Sequence, residues 1–211
     1  MLIFRSFLFL FFFICVLSSQ LFAQTSRDAL LEYRNRNYQT AVEICESEIL
    51  ANPDNLDSYI VLCWSLLHLG RYNELVPYVE KASALSRYDV RVIEIKAELD
   101  YYRGKNISAL HYFQEYINLA PEGGRIDDVY AFIGEIYIRM GRYRHADISL
   151  STALHYMPGN ALWWTRLAYT QEMSGDIREA ERAYRKALEL DNNIADARRG
   201  LDRILASAGR R

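Results

Sequence analysis

Proline and glycine are scarce in this chain, four and ten among 211 residues. That excludes long flexible linkers. Neither sign of charge dominates. Twenty-five basic against 27 acidic residues leave a formal net charge of -2, so no strong basic field points to nucleic acid. Catalytic signatures are missing as well. There is no glycine-rich phosphate loop, no zinc-binding helix motif and no serine elbow. The four histidines, His68, His111, His145 and His155, have no metal-ligand spacing and read as surface residues. No catalytic residue, metal or cofactor is expected. Cysteine is limited to Cys15, Cys45 and Cys63.

What is present is globular: 51% of the residues are hydrophobic and 25% are charged. The segment 1–23 stands apart. Arg5 is followed by an unbroken apolar run from Phe7 to Leu17, then by polar Ser18-Ser19-Gln20, and Leu21-Phe22-Ala23 precedes Gln24. A positive start, a short apolar core and a small residue before the cut describe a secretory signal peptide ending at Ala23. An uncleaved anchor is the rival, since the run from Leu2 approaches the roughly 20 residues that span a bilayer. A lipid on Cys15 is disfavoured, because Ile14 before it is not small. The expected location is the periplasm or membrane periphery of a bacterium. Removing the segment 1–23 takes away Arg5 and no acid, so the net charge falls by one to -3.

The strongest signal is a period. Arg36, Gly70, Gly104, Gly141 and Gly175 recur at an interval of about 34 residues, the length of a repeated helix pair. The step from Gly104 to Gly141 alone is longer, by three. Around the later members the pattern is dense. One unit reads Tyr130, Ile133, Gly134, Tyr137, Gly141, Tyr143, Ala146, Leu150, Ala153 and Pro158. The next reads Trp164, Leu167, Ala168, Gly175, Ile177, Ala180, Tyr184 and Ala187, and an earlier one Tyr59, Leu62, Cys63, Leu66, Gly70, Tyr72, Leu75, Val79 and Ala82. Two units are weaker. One keeps Gly104, Ala109, Phe113, Tyr116 and Pro121 but has Lys96 and Asp100 at apolar positions. Its apolar face reads better as Val92, Ile95, Leu99 and Tyr102. The first keeps Tyr38, Ala41, Cys45 and Pro53, with Arg36 in place of glycine.

These residues resemble the tetratricopeptide repeat (TPR) family over nearly all of the chain beyond residue 23. The resemblance implies an all-α, right-handed α-solenoid of about five helix-turn-helix units, residues 24–193, closed by a capping helix and short basic tail, residues 194–211. Small residues let paired helices approach, large ones fill the gaps between units, and glycine accepts a left-handed turn after each first helix. Ser26 is a candidate cap for the first helix, and Asn192 or Asn193 for the last, over 195–206. On that last helix Leu201, Ile204 and Leu205 are expected to cover the fifth unit, leaving Arg198, Arg199, Asp202 and Arg203 to solvent. The extra three residues fall around Glu122-Gly123-Gly124 and read as a longer loop rather than a joint. Lys96 and Asp100, four apart, are expected to pair. Asn106-Ile107-Ser108 fits a glycosylation acceptor, but Asn106 reads as a helix cap.

In the family the first helix of each unit lines a concave groove. Carried onto this sequence, the groove positions are Tyr33, Arg34, Ile60, Trp64, Leu67, His68, Glu94, Glu98, Tyr101, Tyr102, Glu135, Arg139, Tyr169 and Glu172. The aromatics resemble recognition anchors, and the glutamates would favour a partner of basic character. The family's carboxylate clamp for acidic chaperone tails is absent, since its fifth and ninth positions here carry no Lys or Asn pair. Trp163 is read as packing or contact. Cys45 and Cys63 fall on helices that pack together in the family, so a disulfide and a pair of buried free thiols both fit, the latter favoured. The implied function is an exported, non-enzymatic scaffold that holds a protein or peptide partner in an envelope assembly, without nucleic acid. Self-association through Trp64 or Trp163, and service to an envelope enzyme, are the alternatives.

Overall fold

A computed structural model describes residues 28–208. The expected leader, residues 1–23, Ser26 and the basic tail at 209–211 lie outside them. The described residues form eleven helices: α1 (Ala29–Arg34), α2 (Tyr38–Ala51), α3 (Leu56–His68), α4 (Tyr72–Leu85), α5 (Val90–Tyr102), α6 (Asn106–Leu119), α7 (Ile126–Arg139), α8 (Tyr143–Tyr156), α9 (Ala161–Ser174), α10 (Ile177–Leu190) and α11 (Ala195–Ala208). None of them is long and apolar enough to cross a membrane. No strand occurs among the described residues, and the fold is an all-α TPR solenoid.

Each odd-numbered helix from α1 to α9 ends in the same way. Arg36, Gly70, Gly104, Gly141 and Gly175 all have positive φ, between 64° and 87°. In each turn two amides close back on the helix. At the first, Arg36 N–H donates to the Tyr33 carbonyl and Asn37 N–H to the Glu32 carbonyl, both at 2.9 Å. The pairs Gly104 to Tyr101 (3.1 Å) and Lys105 to Asp100 (2.8 Å) repeat the pattern. These are Schellman turns, which satisfy the orphan carbonyls of the ending helix and reverse the chain. Arg36 therefore occupies the same conformation as the glycines despite its side chain.

The starts differ. Asp28 accepts from the amides of Leu30 and Leu31, Asp89 from Arg91 and Asn160 from Trp163, so α1, α5 and α9 carry side-chain caps. Among the even-numbered helices, α2, α4, α6, α8 and α10 follow the left-handed turn directly and have no side-chain cap. Asn106 is thus the first residue of α6 and not its cap. The helix α11 begins right after Ile194, so Asn192 and Asn193 do not occupy its cap position either.

The described residues divide into two compact units, one up to Ser65 and one from Leu66 onward, with the division inside α3. In the first, Ala41, Val42, Cys45, Ile60, Leu62 and Cys63 are buried. Both cysteines are free thiols, so the disulfide is not formed. Burial pushes the Cys45 thiol up to about 12 and raises Cys63 further, which leaves both protonated and inert.

In the second unit the even helices bury small and large residues at intervals of four and three. The sets are Leu75, Val79, Ala82; Ala109, Phe113, Tyr116; Ala146, Leu150, Ala153; and Ala180, Tyr184, Ala187. That spacing keeps one face of a helix inward. Trp163 packs on Leu150, Leu154 and Leu167. Helix α5 departs from expectation. Val92, Ile95 and Leu99 are buried, but so are Ile93, Ala97 and Tyr101, while Tyr102 is 43% exposed. Lys96 does not pair with Asp100. Its ammonium lies over the Tyr112 ring at 4.2 Å, and Asp100 accepts from Ser108 Oγ at 2.5 Å and meets Lys105 at 3.4 Å.

The longer turn between α6 and α7 is closed by two hydrogen bonds, Gly123 N–H to Ala120 O and Ile126 N–H to Gly123 O. Helix α11 covers the last pair with Ala197 and Ile204 buried, and with Ile194 and Leu201 packed beside them. Leu205 is instead 42% exposed. Gly200 lies against Tyr184, where an added methyl group would overlap the ring.

The turn series yields a paired prediction. No heavy atom lies within 4 Å of a Cβ built on Gly104, so Gly104→Ala costs only the torsional penalty of a left-handed residue, about 1–2 kcal/mol. Arg36→Gly should do the opposite and stabilise by about 0.5 kcal/mol, the torsional gain less the entropy of a freer unfolded chain. Urea unfolding of the two variants reads both. Equal stability of Gly104→Ala and the natural protein would refute the argument.

Candidate functional site

Helix α5 ends in two tyrosines and carries two glutamates one turn apart. Spacing of four puts Glu94 and Glu98 on one face. Both are buried, at 4% and 7% exposure. What makes this tolerable is Arg125, delivered by the longer turn before α7. Its Nε lies 2.8 Å from Glu94 Oε1 and 3.3 Å from Asp128 Oδ2, and its Nη2 donates to Glu98 Oε1 at 3.1 Å. The Glu94 contact is an ion pair off the N–H direction rather than an aligned hydrogen bond. Two buried carboxylates face one guanidinium, so one proton is retained between them. Burial raises both above the usual carboxylate range, Glu98 to about 8, against the opposing pull of Arg125.

The other two candidate glutamates are held similarly. Arg166 grips Glu135 through two N–H groups, Nη2 to Oε2 at 2.5 Å. Arg203 grips Glu172 through two more, each at 2.6 Å, and the Tyr184 hydroxyl donates to Glu172 at 2.9 Å. Arg203 and the Tyr184 donor hold the Glu172 carboxyl below its ordinary value. Glu135 and Glu172 each precede their arginine by 31 residues, a little less than one repeat. Glu94 stands at the same interval before Arg125. The sequence-level inference that these glutamates wait for a basic partner thus loses its premise. Their charge is already met within the chain.

Aromatic rings gather at the C-terminal end of α5. Tyr102 stacks on Tyr72 with centroids 5.0 Å apart and an interplanar angle of 8°. Tyr101 and Phe132 meet edge to face at 4.9 Å, and Phe132 stacks on buried Phe113 at 5.3 Å. Arg139 lies 3.8 Å above the Tyr101 ring and donates through Nη1 to the Tyr101 carbonyl at 2.9 Å. A cation here complements the negative end of α5. This cluster runs from the core to the surface and emerges at Tyr102.

The remaining candidates are scattered in environment. Leu67 is buried and His68 exposed. Tyr169 is half-buried, edge-on to Tyr143 at 6.2 Å. In the first unit Ile60 is buried, Arg34 exposed, and half-buried Trp64 lies 5.7 Å from the Tyr33 ring. The Trp64 Nε1 is buried without a hydrogen-bond partner. His68, His111, His145 and His155 are all exposed, and no group of three metal-ligating side chains occurs among the described residues. Sequence reasoning missed Tyr72 and Phe132, which lie off the assumed groove positions, and the arginines Arg125, Arg166 and Arg203. The fixed interval between each acid and its arginine was the available signal.

Residues 127–156 and 161–194 each match a family model described as tetratricopeptide repeat. These two segments are tetratricopeptide repeats. A TPR repeat-containing protein of Methanocaldococcus jannaschii is 25% identical over 109 residues, 52% of this chain, and the match spans 18% of that protein's length. Among solved structures, PilW, a type IV pilus biogenesis factor, superposes with a TM-score of 0.75 at 17% identity, covering 88% of this chain and 87% of PilW. YrrB, a TPR protein with an unusual peptide-binding site, does so with a TM-score of 0.67 at 16% identity, covering 81% and 86%. Both are likenesses of fold.

The buried acid pair predicts a pH dependence. Folded Glu98 keeps its proton up to about pH 8, whereas an unfolded glutamate loses it near 4.5. Between those values the folded chain binds more protons, so stability falls as pH rises. Glu98→Gln should flatten the decline from pH 6 to 8 and raise stability at pH 8 by on the order of 1 kcal/mol. Thermal melts across that range check it, and an unchanged slope in the variant would count against the shared proton.

Proposed function

We propose that this chain is an exported, non-enzymatic TPR adaptor. It holds a protein or peptide partner on the surface of its odd-numbered helices, as part of a bacterial envelope assembly. The observation that carries the reading is Tyr102, a large aromatic 43% exposed and fixed by Tyr72 beneath it. A rigid aromatic at a surface loses little entropy on binding, which is why such rings anchor protein contacts. The solenoid fold supports an interaction role, and so do fold neighbours that include a pilus biogenesis factor and a peptide-binding protein. Export rests on the composition of residues 1–23, which fits either a cleaved leader or a retained anchor.

The glutamates are compensated by Arg125, Arg166 and Arg203, so the partner is chosen by its fit to aromatic surface rather than by basic charge. Trp163 is partly buried on Leu150, Leu154 and Leu167, which leaves less of its ring for self-association than Tyr102 offers to a partner.

Photo-crosslinking from position 102, in cells of the natural host, should trap a partner in the membrane or periplasmic fraction. Tyr102→Ala should then lower capture of that partner by about tenfold, a loss of roughly 1.4 kcal/mol, with the melting temperature little changed. Undiminished capture would exclude this surface. N-terminal sequencing of the protein from the same cells tests export, with Gln24 as the expected first residue. Recovery of the intact chain from the cytosol would overturn it.

A further inference from the structure

The last repeat and the capping helix border an open cavity of about 270 Å³ that the aromatic surface does not include. Arg166, Arg199 and Arg203 line it, together with Tyr169 and a single carboxylate, Asp196. Glu135 and Glu172 are not among the lining residues. Each instead grips one of the arginines through two N–H groups. A guanidinium has five N–H donors. The ion pairs use two on Arg166 and two on Arg203, and Arg203 also meets the Tyr184 hydroxyl, so both keep donors but Arg203 keeps fewer. The same ion pairs fix the two side chains, and the Tyr184 hydroxyl fixes Glu172 in turn. Arg199 is held more loosely. It pairs with Asp196 three residues away on one helix, with both side chains mostly exposed, at 68% and 75%. Such surface pairs contribute little, and Arg199 is released at small cost.

We propose that this cavity binds the carboxylate side chain of an acidic segment of a protein partner. Arg166 and Arg203 supply preorganised donors, and Arg199 turns from Asp196 to close on the ligand. Fixed guanidiniums lose little rotamer freedom on binding, which favours a planar carboxylate that they can meet through paired hydrogen bonds. Three arginines against Asp196, Glu135 and Glu172 leave the locality neutral, so the site offers directional donors rather than net charge, and paired donors suit the planar carboxylate. Tyr169 offers an adjoining ring face for the apolar part of the segment, with the Arg166 guanidinium 5.7 Å above it. The inference deepens the adaptor reading and rests on it for the nature of the ligand.

Isothermal titration of the full chain with the peptide Ac-Glu-Glu-Phe-Glu-Glu-amide tests the site. The peptide should bind at low ionic strength and weaken at physiological salt. Its counterparts with Gln or Lys in place of Glu should not bind. Arg199→Glu should lower affinity for the glutamate peptide by about tenfold with an unchanged melting curve, because the side chain is exposed. Arg199→Ala should fall between. The proposal is overturned if the glutamate peptide does not bind, if the Gln peptide binds as well, if Arg199→Glu leaves affinity unaltered, or if inorganic phosphate binds more tightly than the peptide. The adaptor reading fails separately. Arg199-dependent peptide binding with undiminished partner capture by Tyr102→Ala would retain the cavity and remove the aromatic surface. Tyr102-dependent capture without peptide binding would do the reverse.

Discussion

The left-handed residue that ends each odd helix is the constraint on which the rest depends. A helix leaves its last carbonyls without partners. The turns at Arg36, Gly70, Gly104, Gly141 and Gly175 satisfy them and reverse the chain in a few residues. Because the reversal is so short, the following helix needs no side-chain cap and begins at a fixed angle. Its small residues then meet the preceding helix at a set height. Gly134, on the first helix α7 of one pair, shows how tight that meeting is, since a methyl group there would lie 2.7 Å from Leu150 Cγ of α8. Packing within each pair is thus a consequence of turn geometry. Arg36 accepts the same geometry at a torsional cost, which locates the least favourable turn at the start of the described chain.

Packing between successive odd helices in the second unit has a different chemistry. Apolar contact is supplemented by acid–arginine pairs at Glu94 and Glu98 with Arg125, Glu135 with Arg166, and Glu172 with Arg203. Two of these pairs are bidentate and half-exposed, where ion pairing is least opposed by desolvation. The first is buried and has one carboxylate too many. Desolvation wins over attraction there, so a proton is kept and a charge avoided. Arg125 stands at the cap position just ahead of α7, from which it turns back to both glutamates.

The period made the helices, their turns and most of the small-residue contacts legible in the sequence, because a glycine at fixed intervals and alanines at intervals of four and three have few other uses. The surface was far less legible. Groove positions carried over from the family assume that every first helix presents the same face. Helix α5 breaks that assumption, since every position from Val92 to Tyr101 except Lys96 is buried. Its glutamates read as exposed acids only because Arg125 stands nearly a full repeat away and outside the expected helix. Tyr72 was legible as a packing residue of the following helix, yet it serves as the platform for Tyr102. Helix caps failed for a related reason. Asn106 and Asn193 are good capping residues by type, but the backbone of a Schellman turn leaves the even helices no need of one, and α11 starts one residue later than Asn193 could cap.

The same ion pairs that tie neighbouring helices together also decide what charge is left for a partner. An arginine engaged by an internal carboxylate is neutralised in sum but not exhausted in donors. A carboxylate engaged by an arginine and a tyrosine, as Glu172 is, has most of its acceptor capacity filled. Pairing is therefore asymmetric in what it leaves behind. It silences the acids as recognition groups and presents the arginines as fixed, directional donors. A surface whose composition reads as acidic can in this way offer its unspent hydrogen bonds to anions, and the balance of Asp and Glu against Arg along a repeat does not by itself give the sign of the ligand.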